Sequence, residues 1–221
     1  MSKRILTTHV GSLPRSKAVT DLVFEHENGE ITDWDTFNQV IGDAVADVVR
    51  KQVNAGIDLV SDGEMSKISY ATYIKDRITG FEGDSPRTPP SDLEEFPGFL
   101  ERQASSGGTP SYKRPCCVAP SEVKSLQPLE DDLSNFKHAL SGHAVTDGFM
   151  NAASPGVIAL FQPDKHYKDH KKYLTALADA MKAEYEAIVA AGFILQLDSP
   201  DLGLGRHMMF KGREDREYQD L

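Results

Sequence analysis

Four polar clusters in this chain each follow a short apolar run. The first is "HVGSLPR", with His9, Gly11, Ser12 and Arg15 directly after "ILTT". The second holds Asp62 and Glu64, the third Asn151 and Ser154, and the fourth Asp198 and Asp201. Carboxylates converging beside a Gly-Ser turn suit a ligand that carries both an ammonium and a carboxylate. Glu64 and Asp198 can hold the ammonium through charge-assisted hydrogen bonds. The backbone N–H groups around Gly11 and Ser12 can hold the carboxylate. His9 offers a ligand or a general base, or a plain hydrogen-bonded structural residue; Asp62 and Asn151 are further binding candidates. A strand-end Asp or Ser also caps the helix that follows. That is the role expected of Asp201, and for Asp62 capping and binding stand side by side. Glu64 and Asp198 are assigned to function because they follow strands in matching places of an internal repeat. No residue is singled out as catalytic, and no metal set is apparent.

The repeat is what must position them. "VNAGIDLVSDGE" (53–64) lies over "VAAGFILQLDSP" (189–200). Each has a helix end, Ala-Gly, a short strand, and an Asp six positions after the glycine. The preceding helices are plain in the pattern. Phe37, Val40, Ile41, Ala44, Val45, Val48 and Val53 form one apolar face, with Asp33 or Thr32 as N-cap. Tyr173, Leu174, Leu177, Met181, Tyr185, Ile188 and Val189 form the other, in a helix over 168–191. Gly56 and Gly192 stop them. "PGVIALFQ" predicts a short helix with Pro155 in its first turn, and "DDLSNFKHALSG" another. Strands are expected at Ile5–His9, Asp58–Ser61, Gly148–Ala152 and Phe193–Leu197.

Repeated βα units imply a parallel sheet, with ligands at the C-terminal strand ends. The fold expected is α/β, of the TIM-barrel (β/α) type, with only the first four βα units in one domain over 1–221. A long insertion, about 80–129, follows strand 2. It is rich in Pro, Gly and Ser, with one short hairpin expected around "KRPCCVAP".

Composition narrows the class. Of 221 residues, 39% are hydrophobic and 26% charged, as in soluble globular proteins. A net charge of −10 disfavours nucleic acid and anionic membranes as partners. No apolar run is long enough for a membrane span, and the N-terminus lacks a signal-peptide core, so a cytoplasmic location is expected. Cys116 and Cys117 are adjacent and have neither a disulfide framework nor zinc spacing. "GLGRH" (203–207) lacks the strand-turn-helix setting of a nucleotide fingerprint.

Taken in order, "TTHVGSLPR", "AGIDLVSDGEMSK", "AASPGVIALF" and "LQLDSPDLGLGRH" resemble the cobalamin-independent methionine synthase family, in its catalytic C-terminal-type domain. The resemblance implies a (β/α)8 barrel that transfers a methyl group from a methyltetrahydrofolate to the thiol of homocysteine, using zinc. It places Gly11 and Ser12 at the homocysteine carboxylate and Glu64 and Asp198 at its amino group. Two departures stand out. Ser199 follows Asp198 where the family's methionine synthases carry Glu, which leaves the acceptor thiol open. The family's zinc ligands (a His-x-Cys pair, a Glu and a further Cys) are absent from this chain, so the isolated chain is expected to bind no stoichiometric zinc. A chain with four strand units is also expected to self-associate or to need a second chain to complete the barrel. A truncated, inactive binding protein and a thiol alkyltransferase with another acceptor are the alternatives. A uroporphyrinogen decarboxylase-like enzyme is disfavoured by the lack of an arginine-rich grip.

Overall fold

The two αβ units of the repeat close in the same way. The structure, a computed structural model, describes residues 4–86, 91–105 and 113–219. After α1 (Lys17–Asn28), helix α2 (Trp34–Asn54) leads into strand β1 (Leu59–Val60). Strands β2 (Phe81–Glu82) and β3 (Cys116–Cys117) flank α3 (Pro97–Ser105). Helix α4 (Gln127–Leu140) precedes β4 (Asp147–Ala153), which runs into α5 (Pro155–Phe161). Helix α6 (His170–Ala190) then leads into β5 (Ile194–Asp198), followed by α7 (Asp201–Met208) and α8 (Asp215–Gln219). At the ends of α2 and α6 the N–H of Ala55 and Ala191 reaches back to Lys51 and Ala187. Gly56 and Gly192 follow in the left-handed region at φ 77° and 91°. Their N–H groups bond Val53 and Val189, both at 3.0 Å. Glycine enters that conformation without a Cβ penalty, which is why both helices stop there.

The main sheet is parallel, in the order β1-β4-β5. Strand β4 is central and buried along nearly its whole length. Helices α2 and α4 pack beside one another, α5 packs on α6, and α6 packs on β4 and β5. Asp33, Ser154 and Asp169 cap α2, α5 and α6 through their side chains, and Pro155 opens α5 as expected.

Several expectations need correction. The first strand, expected over Ile5–His9, is reduced to a single parallel bridge, Thr8 to Leu59. The reason is local. The Asp58 carboxylate takes the Thr7 N–H at 2.8 Å and its hydroxyl at 3.0 Å, and it pairs with Arg4. That side-chain latch replaces ladder bonds, and Ile5 stays outside at 93% exposure. Strand β1 is shorter than 58–61 because the Gln52 side chain satisfies Ser61 on both sides. It donates to the Ser61 carbonyl at 2.8 Å and accepts its N–H at 3.0 Å. The hairpin expected within "KRPCCVAP" does not form. Cys116–Cys117 pairs antiparallel with the distant Phe81–Glu82, between Pro115 and Pro120, which cannot donate to a ladder. Helix α4 starts at Gln127, inside the expected insertion. Helix α1 is an addition. Its signals were a Ser16 cap, Val19 and Val23 on one face, and Gly29 at φ 75°.

Beneath the sheet ends lies a buried ionic network. Arg77 pairs with Asp132 and, at 3.0 Å, with Glu184. Glu184 also accepts the Tyr73 hydroxyl at 2.6 Å, and the Arg77 guanidinium lies over the Tyr73 ring at 4.7 Å. Burial opposes the Arg77 charge, yet Glu184 and Asp132 raise its pKa. Removing one partner of a buried ion pair leaves an uncompensated charge and costs about 3–5 kcal/mol. Arg77→Met is therefore expected to lose roughly that much stability in urea unfolding. A loss near zero would show that water reaches the network.

Candidate functional site

Parallel strands end on the same side of a sheet, so the loops after the first segment, β1, β4 and β5 are brought together. Of the residues singled out from the sequence, Gly11, Ser12, Glu64, Asn151 and Asp198 meet there. The Asn151 side-chain amide donates to Glu64 Oε1, and at 2.9 Å to Asp198 Oδ2. The Ser12 hydroxyl donates to Glu64 Oε2. Gln196 Nε2 donates to Asp198 Oδ1 at 3.0 Å. The two carboxylates are thus held by neutral donors; among the described residues neither has an ion-pair partner.

Glu64 is buried, at 1% exposure, while Asp198 is half-buried. Both face a cavity of about 390 Å³ lined also by Val10, Tyr70, Leu197 and Pro200. Gly11 and Ser12 line it as well, with Gly11 at φ 87° and nothing within 4 Å of where a Cβ would sit. Their backbone N–H groups have no acceptor among the described residues. A pair of free N–H groups lining the same cavity as two carboxylates can hold the two charged groups of a zwitterion. A larger cavity of about 590 Å³ lies between α2 and α4, away from these carboxylates. Its buried charges are already engaged: Arg77 and Asp132 pair with each other, and Lys67 donates to the Asn151 carbonyl.

The repeat set Asp62 level with Asp198, but the carboxylate that joins Asp198 belongs to Glu64. The cause is a tight turn. Asp62 Oδ1 accepts the Glu64 N–H at 3.0 Å, and both Gly63 (φ 65°) and Glu64 (φ 56°) are left-handed. The turn swings the Glu64 side chain back over the strand ends and leaves Asp62 beneath. His9 is half-buried; its Nε2 is shielded without a partner, and it is not among the cavity-lining residues. Asp201 does not cap α7. It accepts the Ser154 hydroxyl at 3.0 Å, over the start of α5. Sequence reasoning missed Gln196 and Tyr70. Gln196 had a signal: it lies two residues before Asp198, on the same face of one strand. Tyr70 had none.

The donor set does not fit the family's zinc. Among the described residues no three His, Cys, Asp or Glu side chains converge on a metal position. The Cys116 thiol lies 2.5 Å from the Ser85 hydroxyl, and Cys117 contacts the Ala119 carbonyl at 3.4 Å and Ser121. Burial raises the Cys117 thiol pKa, opposite to what a thiolate ligand needs.

Residues 5–87 match the family model "Cobalamin-independent synthase, Catalytic domain". A methionine synthase of Saccharolobus islandicus is 30% identical over 209 residues, 94% of this chain and 56% of that protein. One from Sulfurisphaera tokodaii is 28% identical over 195 residues, 88% of this chain and 51% of that protein. The chain therefore spans about half the length of the curated relatives it matches. Among solved structures, a B12-independent methionine synthase from Shewanella sp. W3-18-1, in complex with selenomethionine, aligns with a TM-score of 0.59 at 20% identity. That alignment covers 77% of this chain and 44% of the other. A putative vitamin-B12 independent methionine synthase from Listeria monocytogenes gives 0.60 at 20% identity, covering 89% and 53%. These two show a shared fold.

Burial raises the Asp62 carboxyl pKa, with the Lys67 ammonium opposing. A raised folded pKa gives stability that is present below the unfolded value, about 3.9, and is lost as pH climbs through the folded one. Asp62→Asn keeps the acceptor for the Glu64 N–H. It is expected to match the parent near pH 4 and to be the more stable at pH 7, as read by urea unfolding at both. A difference independent of pH would count against this.

Proposed function

We infer that this chain, which belongs to the cobalamin-independent methionine synthase family, binds an amino-acid thiol such as homocysteine at its strand ends and serves methyl transfer to that thiol. The observation that carries the reading is the meeting of Glu64, Asn151 and Asp198 with Gly11 and Ser12 around one cavity. A solved relative of the same fold is complexed with selenomethionine, an amino acid with the same ammonium and carboxylate. The methyl donor proposed is of the methyltetrahydrofolate type. The chain supplies the amino-acid-binding half of the barrel in this reading, with residues 80–129 as an insertion.

On binding, the ligand ammonium inserts between Glu64 and Asp198 and replaces neutral hydrogen bonds with charge-assisted ones. The Asn151 amide keeps both carboxylates aimed at that place. The N–H groups of Gly11 and Ser12 take the ligand carboxylate, so the thiol is oriented by its two charged ends. Burial of Glu64 keeps water from competing for the ammonium. Zinc lowers the pKa of a bound thiol in this chemistry, and its ligands would have to come from outside the residues described.

A specific observation keeps a second acceptor in view. Ser199, where the family's methionine synthases carry Glu, lines the cavity. A thiol alkyltransferase acting on a different acceptor is the second reading. Titration of L-homocysteine and other thiol acids into the chain, by calorimetry, separates the two. For the bound ligand, Glu64→Gln and Asp198→Asn should each cost roughly 1.5–3 kcal/mol, the worth of one charge-assisted hydrogen bond. That is about tenfold to a hundredfold in affinity. Unchanged affinity in both variants would remove these acids from the site.

The sheet edges support association. Strand β5 leaves Ile194 and Leu197 at 44% and 46% exposure, and Val10 beside the first segment at 59%. Exposed apolar edges invite pairing. Light scattering at micromolar concentration is expected to give a mass above that of one chain; a stable monomer would overturn this part of the reading.

A further inference from the structure

The turn that carries Glu64 is strained. A non-glycine residue at φ 56° occupies a region where its Cβ crowds the backbone. It persists only where neighbours over-determine it. Gly63 before it is left-handed too, and a Cβ at Gly63 would meet Met65, Leu13 and Val48 at 3.0–3.2 Å. The Glu64 N–H is taken by Asp62. What holds the other side of the residue comes from the opening segment, "HVGSLPR".

Arg15 supplies it. Its Nη2 donates to the Glu64 carbonyl at 2.5 Å and to the Lys67 carbonyl at 2.6 Å. Leu13 N–H, from the same segment, bonds the Gly63 carbonyl at 3.1 Å. Lys67 in turn is buried, and its Nζ donates to the Asn151 carbonyl at 2.8 Å. Asn151 closes the circuit by donating its side-chain amide to the Glu64 carboxylate. The circuit therefore runs from Arg15 to Glu64, to Asn151, to Lys67 and back to Arg15. It joins the first loop, the loop after β1 and the central strand β4. Both bonds leave one terminal nitrogen, Nη2, and a lysine ammonium, which stands one bond nearer its own Cα, falls short of that position.

We propose that Arg15 is a positioning residue. It acts through the backbone of Glu64 and the anchoring of Lys67 to hold the Glu64 carboxylate at the ligand ammonium, and it does not touch the ligand. This rests on the reading of Glu64 as an ammonium-binding acid. Arg15 itself is absent from the residues lining the cavity. The alternative, a purely structural arginine, predicts a loss of stability with no specific link to Glu64.

A double-mutant cycle in the full chain separates the two. The probe is L-homocysteine, titrated into the parent, Arg15→Lys, Arg15→Gln, Glu64→Ala and the Arg15→Lys/Glu64→Ala double variant. Backbone NMR shifts and the H–N–Cα–H coupling at residue 64 report φ without any ligand. Arg15→Lys is expected to weaken binding about tenfold in the parent, as for the loss of one charge-assisted contact. In the Glu64→Ala background it should change binding less than about twofold, because independent sites add and coupled sites do not. Residue 64 should leave the left-handed region in both Arg15 variants. An equal loss in both backgrounds, or a residue 64 whose φ is unmoved, overturns the proposal. If Glu64→Ala leaves affinity unchanged, the site reading fails first and the positioning role falls with it, even where Arg15 still governs the turn. Failure of both Arg15 variants to fold would assign the residue to the fold and overturn its role in the site.

Discussion

Two carboxylates flank the end of the central strand, one in the loop after β1 and one at the end of β5; they repel each other, and one amide keeps them in place. Asn151 stands on β4, the central strand, between the loop after β1 and the end of β5. An uncharged amide with two N–H donors can serve one acid on each side without adding charge. An aspartate there would put a third carboxylate into the cluster, and an aliphatic residue would leave two buried acceptors without donors. The remainder of the site follows from this. Ser12 completes the hydrogen bonding of Glu64, Gln196 does the same for Asp198, and the ligand cavity opens between them.

The central strand is itself held from below. Tyr73 accepts the Ala153 N–H at 3.2 Å, and Tyr185 donates to the Ala153 carbonyl at 2.7 Å. Tyr73 is tied to Glu184 and lies beneath both Lys67 and Arg77. The carboxyl end of β4 thus rests on an ionic network joining α4 and α6 to the segment 66–77. A buried ion pair is weak evidence of stability for its own sake, since apolar replacements often match it. Here its members also fix the depth of the strand that carries Asn151.

Most of the site could be read from residue types, and the part that could not is backbone geometry. The Gly-Ser turn, the acids and the asparagine were visible because each closes an apolar run, and parallel sheets gather such ends. The repeat was legible because two identical helix stops, Ala55-Gly56 and Ala191-Gly192, are set by the conformational freedom of glycine. Counting along the repeat aligns Asp62 with Asp198 and does not explain why Glu64, the acid singled out with Asp198, is the one that joins it; two successive left-handed residues, Gly63 and Glu64, bring its carboxylate there. Edge strands were over-read for a similar reason. Side chains of Asp58 and Gln52 take bonds that a ladder would otherwise make, and no apolar pattern reports that. The long-range pairing of Cys116–Cys117 with Phe81–Glu82 spans residues whose composition says only that they are loop-like.

The open edge of the sheet and the open side of the site are the same place. Asp198 is the last residue of β5, and Leu197 beside it is 46% exposed. Glu64, across the end of β4, is shut off from water. Charge-assisted hydrogen bonds gain strength as the surrounding dielectric falls. In the proposed reading, the two acids therefore grip an ammonium unequally while β5 is an edge strand. A strand laid along β5 would cover Leu197, dry the surroundings of Asp198 and bring its contribution up to that of Glu64. Completion of the sheet and affinity of the site are thus linked by a shared residue, and each must stabilise the other to the same degree, as linkage between any two binding equilibria requires.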